Sequence, residues 1–206
     1  MKLVLLAVPL VLAGCGGPFP ERPPVIVRPT SAASVPPATA APTCPPAGVR
    51  LEMGAGDAAS GLRVLGIELV NCGHAEYRLD GYPVVRPLDE HRAVADVQVL
   101  DGIAQVTHAI PPLERAPSPV VLAPGQRAEA FVVWRNTYTD TTHPPVTVPL
   151  LAVAPRAGAP SEVLTPTGGA LDLGSTGRFG VSPWQPSSTP ASPSTLPSAP
   201  SAGPDV

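Results

Sequence analysis

The chain is poor in lysine and in charge. Lys2 is the single lysine among 13 basic residues, which leaves twelve arginines, and charged residues make up only 14% of the sequence. The arginines are spread singly from Arg22 to Arg178, so they form no basic cluster. Proteins that bind nucleic acid neutralise several phosphates with clustered lysine and arginine. The composition therefore argues against a nucleic-acid partner.

No hydrophobic run in the sequence is long enough to span a membrane. The N-terminal run covers residues 3–12, and Gly16-Gly17 follows soon after it, whereas a transmembrane helix needs about 20 apolar residues. A short apolar run behind one positive charge is typical of a secretory signal. Its end, Leu12-Ala13-Gly14-Cys15, has the pattern of a bacterial lipobox.

The lipobox predicts that residues 1–14 are removed as a signal peptide and that Cys15 then carries a diacylglyceryl lipid. Two acyl chains hold a protein firmly at a membrane, since each buried methylene contributes about 0.8 kcal/mol. We therefore expect an extracytoplasmic protein, anchored by lipid to the outer face of the bacterial cell membrane. A cleaved signal with an incidental cysteine is the alternative.

Cysteine is scarce, with three residues in the chain. If Cys15 carries the lipid, Cys44 and Cys72 remain as a pair, and disulfides form and persist in oxidising compartments outside the cytoplasm. We predict a bridge between these two cysteines, with two free thiols as the alternative.

Residues that bind metals or catalyse reactions are also sparse. The four histidines fall in separate predicted loops without ligand spacing, and Met53 is the only methionine left after the signal peptide, so soft copper ligands are missing. Asp140 and His143, in one polar loop, are the best candidates for a metal-binding or general-base pair. A solvated loop is the alternative. We predict no catalytic residues, no cofactor and no enzyme activity.

Proline is abundant, at 31 of 206 residues, and concentrates at the two ends of the chain. Segments of this composition bury too little apolar surface to offset the entropy of ordering. We therefore predict a disordered proline-rich linker over residues 15–43 and a disordered tail rich in serine, proline and alanine over residues 187–206. Residues 44–186 remain as one folded domain.

Within this domain, short apolar runs are separated by glycine, proline, asparagine and aspartate, and none keeps a helical period. This pattern predicts an all-β fold. The number and spacing of the strands favour an immunoglobulin-like β-sandwich, with a small barrel as the second choice. The predicted strands cover residues 62–70, 77–79, 84–88, 94–100, 120–122, 128–134, 147–153 and 169–173.

Several residues outside these strands also carry predictions. The segment Gly54-Ala55-Gly56-Asp57-Ala58-Ala59 has the letters of a dinucleotide-binding fingerprint, but it lacks the helix that the fingerprint requires. We interpret it as a flexible, hairpin-like connection. Trp184 is predicted to close one end of the core. Tyr82, in a turn, and Tyr138, in the loop beyond Trp134, are candidates for a partner surface, because aromatic rings often anchor contacts.

Five short motifs in order give the domain a family resemblance. They resemble a family of actinobacterial secreted proteins and lipoproteins built on a domain of unknown function. The resemblance covers residues 44–184, and it implies an immunoglobulin-like β-sandwich outside the membrane without catalytic residues. Many relatives place the second cysteine just before the Gly-Tyr-Pro turn, where this chain has Tyr77. The motifs are Asn71-Cys72-Gly73, Gly81-Tyr82-Pro83, Pro124-Gly125, Trp134-Arg135-Asn136 and Leu171-Asp172-Leu173-Gly174.

The sequence therefore predicts a non-enzymatic lipoprotein of the cell envelope. Its β-sandwich would act as a tethered binding or scaffolding module, with a cell-wall component or an envelope protein as its partner. The alternative is an envelope hydrolase or metal-binding protein that uses the loop of Asp140 and His143.

Overall fold

The computed structural model describes residues 43–187. The predictions for the signal peptide, for Cys15, for the linker before residue 43 and for the tail beyond residue 187 concern residues outside this range. Nearly all regular structure within the range is β. The strands are β1 (Val49–Ala59), β2 (Leu62–Asn71), β3 (Tyr77–Leu79), β4 (Val84–Leu88), β5 (Gln98–Asp101), β6 (Val120–Leu122), β7 (Arg127–Arg135), β8 (Thr147–Val148), β9 (Leu150–Ala154), β10 (Glu162–Leu164), β11 (Leu171–Asp172), β12 (Arg178–Val181) and β13 (Gln185–Pro186), with a 3-10 helix at Pro111–Leu113.

The strands form one large sheet and three smaller ones. The large sheet has the order β1-β2-β7-β12-β5, and β13 also pairs with β7. Its pairings are antiparallel except that of β12 with β5, which is parallel. The smaller sheets are β10-β9-β4, β11-β8 and β3-β6. One core cluster contains buried residues from all four sheets, so the expected all-β sandwich is confirmed.

The two longest strands beside each other, β2 and β7, show why this sequence forms a sandwich. Side chains of a strand point alternately to its two faces, and Ile67 and Leu69 of β2 lie on the same face as Ala128 and Ala130 of β7. All four are fully buried in the main core. Glu68, between them in sequence, lies on the other face and is half-buried.

Strand β7 is apolar on both faces, as the sequence predicts for a central strand. It lies between β2 and β12 in the large sheet. On its outer face, Val133 is fully buried in a second, smaller cluster with Ile103 and Leu113. The loop between β5 and β6, which contains the 3-10 helix, therefore covers this face of the sheet.

Residues 54–59 belong to a hairpin, as predicted, but they form one of its strands and are not a flexible connection. Strand β1 continues to Ala59 and pairs with β2 up to Leu62. A register shift between Met53 and Gly56 marks a β-bulge. Residues beyond Gly54 in this strand are exposed, so they carry none of the apolar alternation by which strands are recognised in a sequence.

Three predicted strands are shorter or divided in the structure. The predicted strand 169–173 forms only as β11, from Leu171 to Asp172. The predicted strand 94–100 forms only as β5, from Gln98 to Asp101, although residues 95–99 do alternate between half-buried and exposed. The predicted strand 147–153 is divided into β8 and β9 at Pro149, because proline has no backbone N–H for a sheet ladder.

The predicted disulfide between Cys44 and Cys72 is present and joins the segment before β1 to the residue after β2. Beside it, the buried Asn71 donates from Nδ2 to the carbonyl of Leu122 at 2.9 Å. Its own carbonyl accepts from the N–H of Gly125 at 2.7 Å. The motifs Asn71-Cys72-Gly73 and Pro124-Gly125 are therefore parts of one structural junction.

Trp184 is 1% exposed, and its indole packs in the main core as the sequence predicts. Its Nε1 donates to the carbonyl of Pro155 at 2.9 Å, and its backbone N–H donates to the carbonyl of Gly81 at 3.0 Å. The residue therefore ties the Gly81-Tyr82-Pro83 turn to the end of β9. Among residues 43–187, no helix has the length and apolar character needed to cross a membrane.

Candidate functional site

A groove of about 740 Å³ lies at the end of the large sheet where β1 ends and β2 begins. Its floor contains the cross-strand row Ala58, Arg63 and Trp134, because Arg63 pairs with Ala58 of β1 and with Trp134 of β7. Directly paired residues of antiparallel strands share one face of the sheet. The opposite wall is formed by the loop 167–170 and by Asp172. The groove therefore crosses three strands on their inner face.

Trp134 forms one end of this floor in an almost completely buried position. It is 7% exposed, and its Nε1 donates to the backbone carbonyl of Asp172 at 2.9 Å. This hydrogen bond satisfies the only polar atom of the indole. The ring is therefore held in one orientation before any ligand arrives.

The carboxylate of Asp172 organises the rim of the groove. It accepts hydrogen bonds from Nδ2 of Asn136 at 2.7 Å, from the hydroxyl of Tyr138 at 2.9 Å and from the backbone N–H of Gly174 at 3.0 Å. The motifs Trp134-Arg135-Asn136 and Leu171-Asp172-Leu173-Gly174, far apart in sequence, thus meet at one place. Because three donors occupy the carboxylate, it acts here as an anchor for its neighbours.

Gly174 permits this convergence. Its φ is +56°, in the left-handed region that glycine adopts without cost. A Cβ at this position would lie 2.1 Å from the carbonyl oxygen of Thr137, with which Gly174 forms a β-bridge pair. A larger residue would push the two segments apart. Steric crowding therefore explains why the Leu171-Asp172-Leu173-Gly174 motif ends in glycine.

The bond to Asp172 raises the pKa of Tyr138 above its usual 10.0. The main cause is the hydrogen bond itself, because removing the phenol proton breaks it; burial and the nearby negative charge add to the shift. A raised pKa means that the stabilisation is fully present below the ordinary value and is lost as pH rises through the shifted one. Tyr138 remains 57% exposed, so its ring is accessible beside the groove.

We predict that Asp172→Asn lowers the free energy of unfolding by about 1.5–2 kcal/mol, because the donors that share the carboxylate lose a charged acceptor. The pKa of Tyr138 should return towards its ordinary value. Urea unfolding and an absorbance titration of the tyrosines measure the two effects. Asp96→Asn, at an exposed position with no such bonds, is the matched control. An unchanged tyrosine titration in Asp172→Asn contradicts the assignment.

Arg63 is the cation in the groove, and it is half-buried. Its Nη1 donates to the carbonyl of Leu62 at 3.2 Å. Among residues 43–187, no carboxylate lies within 4.0 Å of its guanidinium. Four of the five N–H donors of this group therefore have no protein acceptor in this part of the chain.

The loop opposite the floor is tied to β1 by one hydrogen bond. The hydroxyl of Thr167 donates to the carbonyl of Gly54 at 2.9 Å. Gly168 and Gly169 follow with φ values of +85° and +107°, and nothing lies within 4 Å of a Cβ built on either. The groove is therefore open above this loop, and the glycines leave its mouth without side chains.

Asp140 and His143 are in contact, as their spacing suggested. The ring Nδ1 of His143 lies 2.6 Å from Oδ2 of Asp140, and both residues are exposed. The hydroxyl of Thr142 lies 3.2 Å from the same Nδ1. In a catalytic triad the carboxylate and the nucleophile face opposite ring nitrogens, so this arrangement is not a triad. Within the described range, no three His, Cys, Asp or Glu side chains cluster closely enough to hold a metal ion.

The pKa of Asp140 is lowered from 3.8 to about 2. The causes, largest first, are hydrogen bonds from the hydroxyl and the backbone N–H of Thr142, followed by His143. A lowered carboxyl pKa contributes stability above the ordinary value, and this contribution is lost as pH falls through about 2. The interactions are those of a tight local turn on the surface.

We predict that an NMR titration of the Asp140 carboxyl carbon gives a pKa near 2. In Thr142→Val the value should rise towards the ordinary one, because the largest cause of the shift is removed. His143→Ala should raise it less. A titration in which Thr142→Val leaves the pKa of Asp140 unchanged contradicts this account.

The structure places the two tyrosine candidates differently. Tyr138 bonds to the groove residue Asp172, as described above. Tyr82 is half-buried in the turn after Gly81, whose φ is +76°, and is not among the residues that line the groove. Tyr138 is therefore the candidate beside the groove, and its role in contact with a partner stays a prediction.

Comparison with known families agrees with this arrangement. Residues 44–185, which include every groove residue, match the family described as a domain of unknown function, DUF4232. The chain belongs to this family. No curated protein and no solved structure matches it. The resemblance to a domain of unknown function is thus confirmed for the DUF4232 domain.

Sequence reasoning missed part of the groove in this DUF4232 domain. Arg63 has no predicted role, and residues 169 and 170 of the loop 167–170 fall within the predicted strand 169–173. Trp134 and Asp172 belong to two of the five motifs, which marks them as important. The motifs do not predict that the two residues are in contact. The one signal for Arg63 was a charged residue on the apolar face of β2.

Proposed function

We propose that this DUF4232 protein is a non-enzymatic lipoprotein of actinobacterial type, anchored at the outer face of the cell membrane through Cys15. Its β-sandwich binds a component of the cell envelope in the groove beside Trp134. The observation that carries the proposal is a groove whose walls are fixed in advance by the three hydrogen bonds to Asp172.

The chemistry of the groove supports binding. Its volume of about 740 Å³ lies in the range of small-molecule sites, which combine apolar walls with a few fixed polar groups. Side chains that are already ordered lose little further entropy when a ligand binds. The carboxylate of Asp172 is occupied by its donors, so it positions Asn136 and Tyr138 for contact with a ligand.

The position of the groove supports a tethered module. The disulfide of Cys44 lies before the start of β1, whereas Ala58 lies near the other end of the same strand. Nine residues separate Val49 from Ala58, which corresponds to about 30 Å along a strand. A chain attached at Cys15 therefore enters the domain at the end remote from the groove, and the lipobox sequence supplies the attachment point.

Site-specific crosslinking in cells tests the binding function. A photoreactive amino acid replaces Ala58 in the groove or, as control, Ala93, an exposed alanine between β4 and β5. We expect the probe at residue 58 to give a discrete adduct with an envelope component and the probe at residue 93 to give none. Equal adducts at both positions, or none at residue 58, contradict the groove as the binding site.

The anchor is tested independently by Cys15→Ala. We expect the natural protein to appear in the membrane fraction with the mass of a lipid on Cys15. The variant should lose both the lipid mass and membrane retention, while Ser31→Ala retains them. An acylated, membrane-retained Cys15→Ala protein would contradict the anchor without affecting the groove.

A further inference from the structure

We propose that the groove binds an acidic sugar and that Arg63 holds its carboxylate. This inference rests on the proposed binding function, and it assigns a ligand class and a recognition residue. The juxtaposition that carries it is a half-buried guanidinium with unused donors beside a fixed indole, at the floor of an open groove.

Arg63 differs from Arg50 and Arg127, two half-buried arginines that form ion pairs, whereas the half-buried Arg135 also lacks an ion pair within residues 43–187 but lies outside the groove. Arg50 lies 2.6 Å from Glu52, and Arg127 lies 2.8 Å from Glu68. These pairs neutralise charge on the sheet. Arg63 is also half-buried, but no carboxylate lies within 4.0 Å of it among residues 43–187.

The two acidic residues that line the groove form no ion pair with Arg63. Asp172 is bound by Asn136, Tyr138 and Gly174, as described above. Asp57 pairs with Val64, so its side chain lies on the face opposite to Ala58 and Arg63, and its Oδ1 accepts from the N–H of Ala58 at 2.7 Å. Among residues 43–187 the guanidinium of Arg63 therefore has no carboxylate in direct contact, and such a partly buried group favours an anion with planar geometry such as a carboxylate.

The shape of the floor favours a ring-shaped ligand. On the β1 side the floor is lined by the small residues Gly56 and Ala58, and on the other side it is lined by the indole of Trp134. Asn136 donates from Nδ2 to Asp172, so its Oδ1 is left to accept from a hydroxyl. The groove crosses the strands and does not follow the free edge of β1, so an extended peptide in it would not add a strand to the sheet.

Binding of a matched pair of probes to the full lipidated protein in detergent micelles tests the inference. The probes are trigalacturonic acid and its trimethyl ester, which keeps the rings but removes the charges. The variants are Arg63→Gln and, as control, Arg86→Gln, an exposed arginine of β4 outside the groove. Isothermal titration measures affinity, and the urea midpoint of each variant checks its fold.

We expect the acid to bind at least about tenfold more tightly than the ester, because hydrogen bonds between a guanidinium and a carboxylate are stronger than those to a neutral ester. Arg63→Gln should remove this difference, and Arg86→Gln should retain it. The advantage of the acid should also shrink as salt is raised, since the ion pair is only partly buried.

Other outcomes overturn the inference in distinguishable ways. If acid and ester bind equally while the probe at residue 58 still captures an envelope component, the carboxylate assignment is wrong and the groove function stands. If a peptide with a free C-terminal carboxylate binds more tightly than the trisaccharide and depends on Arg63, the ligand is not a sugar. If neither probe binds and residue 58 captures nothing, both the inference and the proposed function fail.

Discussion

Trp184→Ala is expected to lower the free energy of unfolding of the domain by about 3–5 kcal/mol, the cost of truncating a large buried aromatic side chain. The indole is 1% exposed and packs in the core cluster shared by all four sheets. Its removal also leaves the carbonyl of Pro155, which accepts from Nε1 at 2.9 Å, without that donor. The cavity and the lost hydrogen bond act in the same direction.

Urea unfolding followed by circular dichroism measures this loss in Trp184→Ala. Val94→Ala is the matched control, because Val94 is an apolar residue that is 70% exposed, and its truncation should change stability by less than about 0.5 kcal/mol. Trp184→Phe should lie between the two, since it keeps a ring in the core but loses the donor. A loss below about 1 kcal/mol in Trp184→Ala would show that the site collapses around the smaller residue.

The sequence predicted those strands whose alternation is dictated by burial. β3, β4 and β6 have the predicted bounds, and β2 and β7 extend the prediction by one or two residues. Each of the latter two buries apolar residues at every second position. Such a pattern is local, so it can be read from one segment of the chain.

The strands that are absent from the prediction are β1, β10, β12 and β13. β12 is four residues long and is held between β5 and β7, and β13 is a two-residue pairing with β7. The outer half of β1 is exposed and rich in glycine, so only its pairing with β2 makes it a strand. Propensity and alternation carry no information about such pairings.

In the candidate site, too, the residues with a local sequence signal were predicted, and those that depend on strand pairing were not. Trp134, Asn136 and Asp172 stood out as motif residues, and a motif shared with a family indicates that positions matter without showing what they touch. Arg63 comes from another strand, and its role depends on the register that pairs it with both Ala58 and Trp134. A change of register by one residue would turn Arg63 to the outer face, so no reading of its own segment could have placed it in a groove.

Removal of the disulfide by Cys44→Ser and Cys72→Ser together is expected to destabilise the domain by about 3.5 kcal/mol, because the bridge closes a loop of 28 residues in the unfolded chain. The loop contains β1, β2 and their turn, and therefore the Ala58 and Arg63 side of the groove. The cost arises in the unfolded state, so the native pairing of β1 with β2 should persist in the double variant.

Urea unfolding of the double variant and of the natural protein with reductant should give the same lowered midpoint. Ligand contact at residue 58 should survive in conditions where the double variant is still folded, because the groove lies at the other end of the β1-β2 hairpin from the bridge. A double variant as stable as the natural protein contradicts the chain-entropy argument. Loss of groove contact in a folded double variant would instead show that the bridge sets the register of β1. The outer half of that strand is the part more easily displaced, because a bulge lies between Met53 and Gly56.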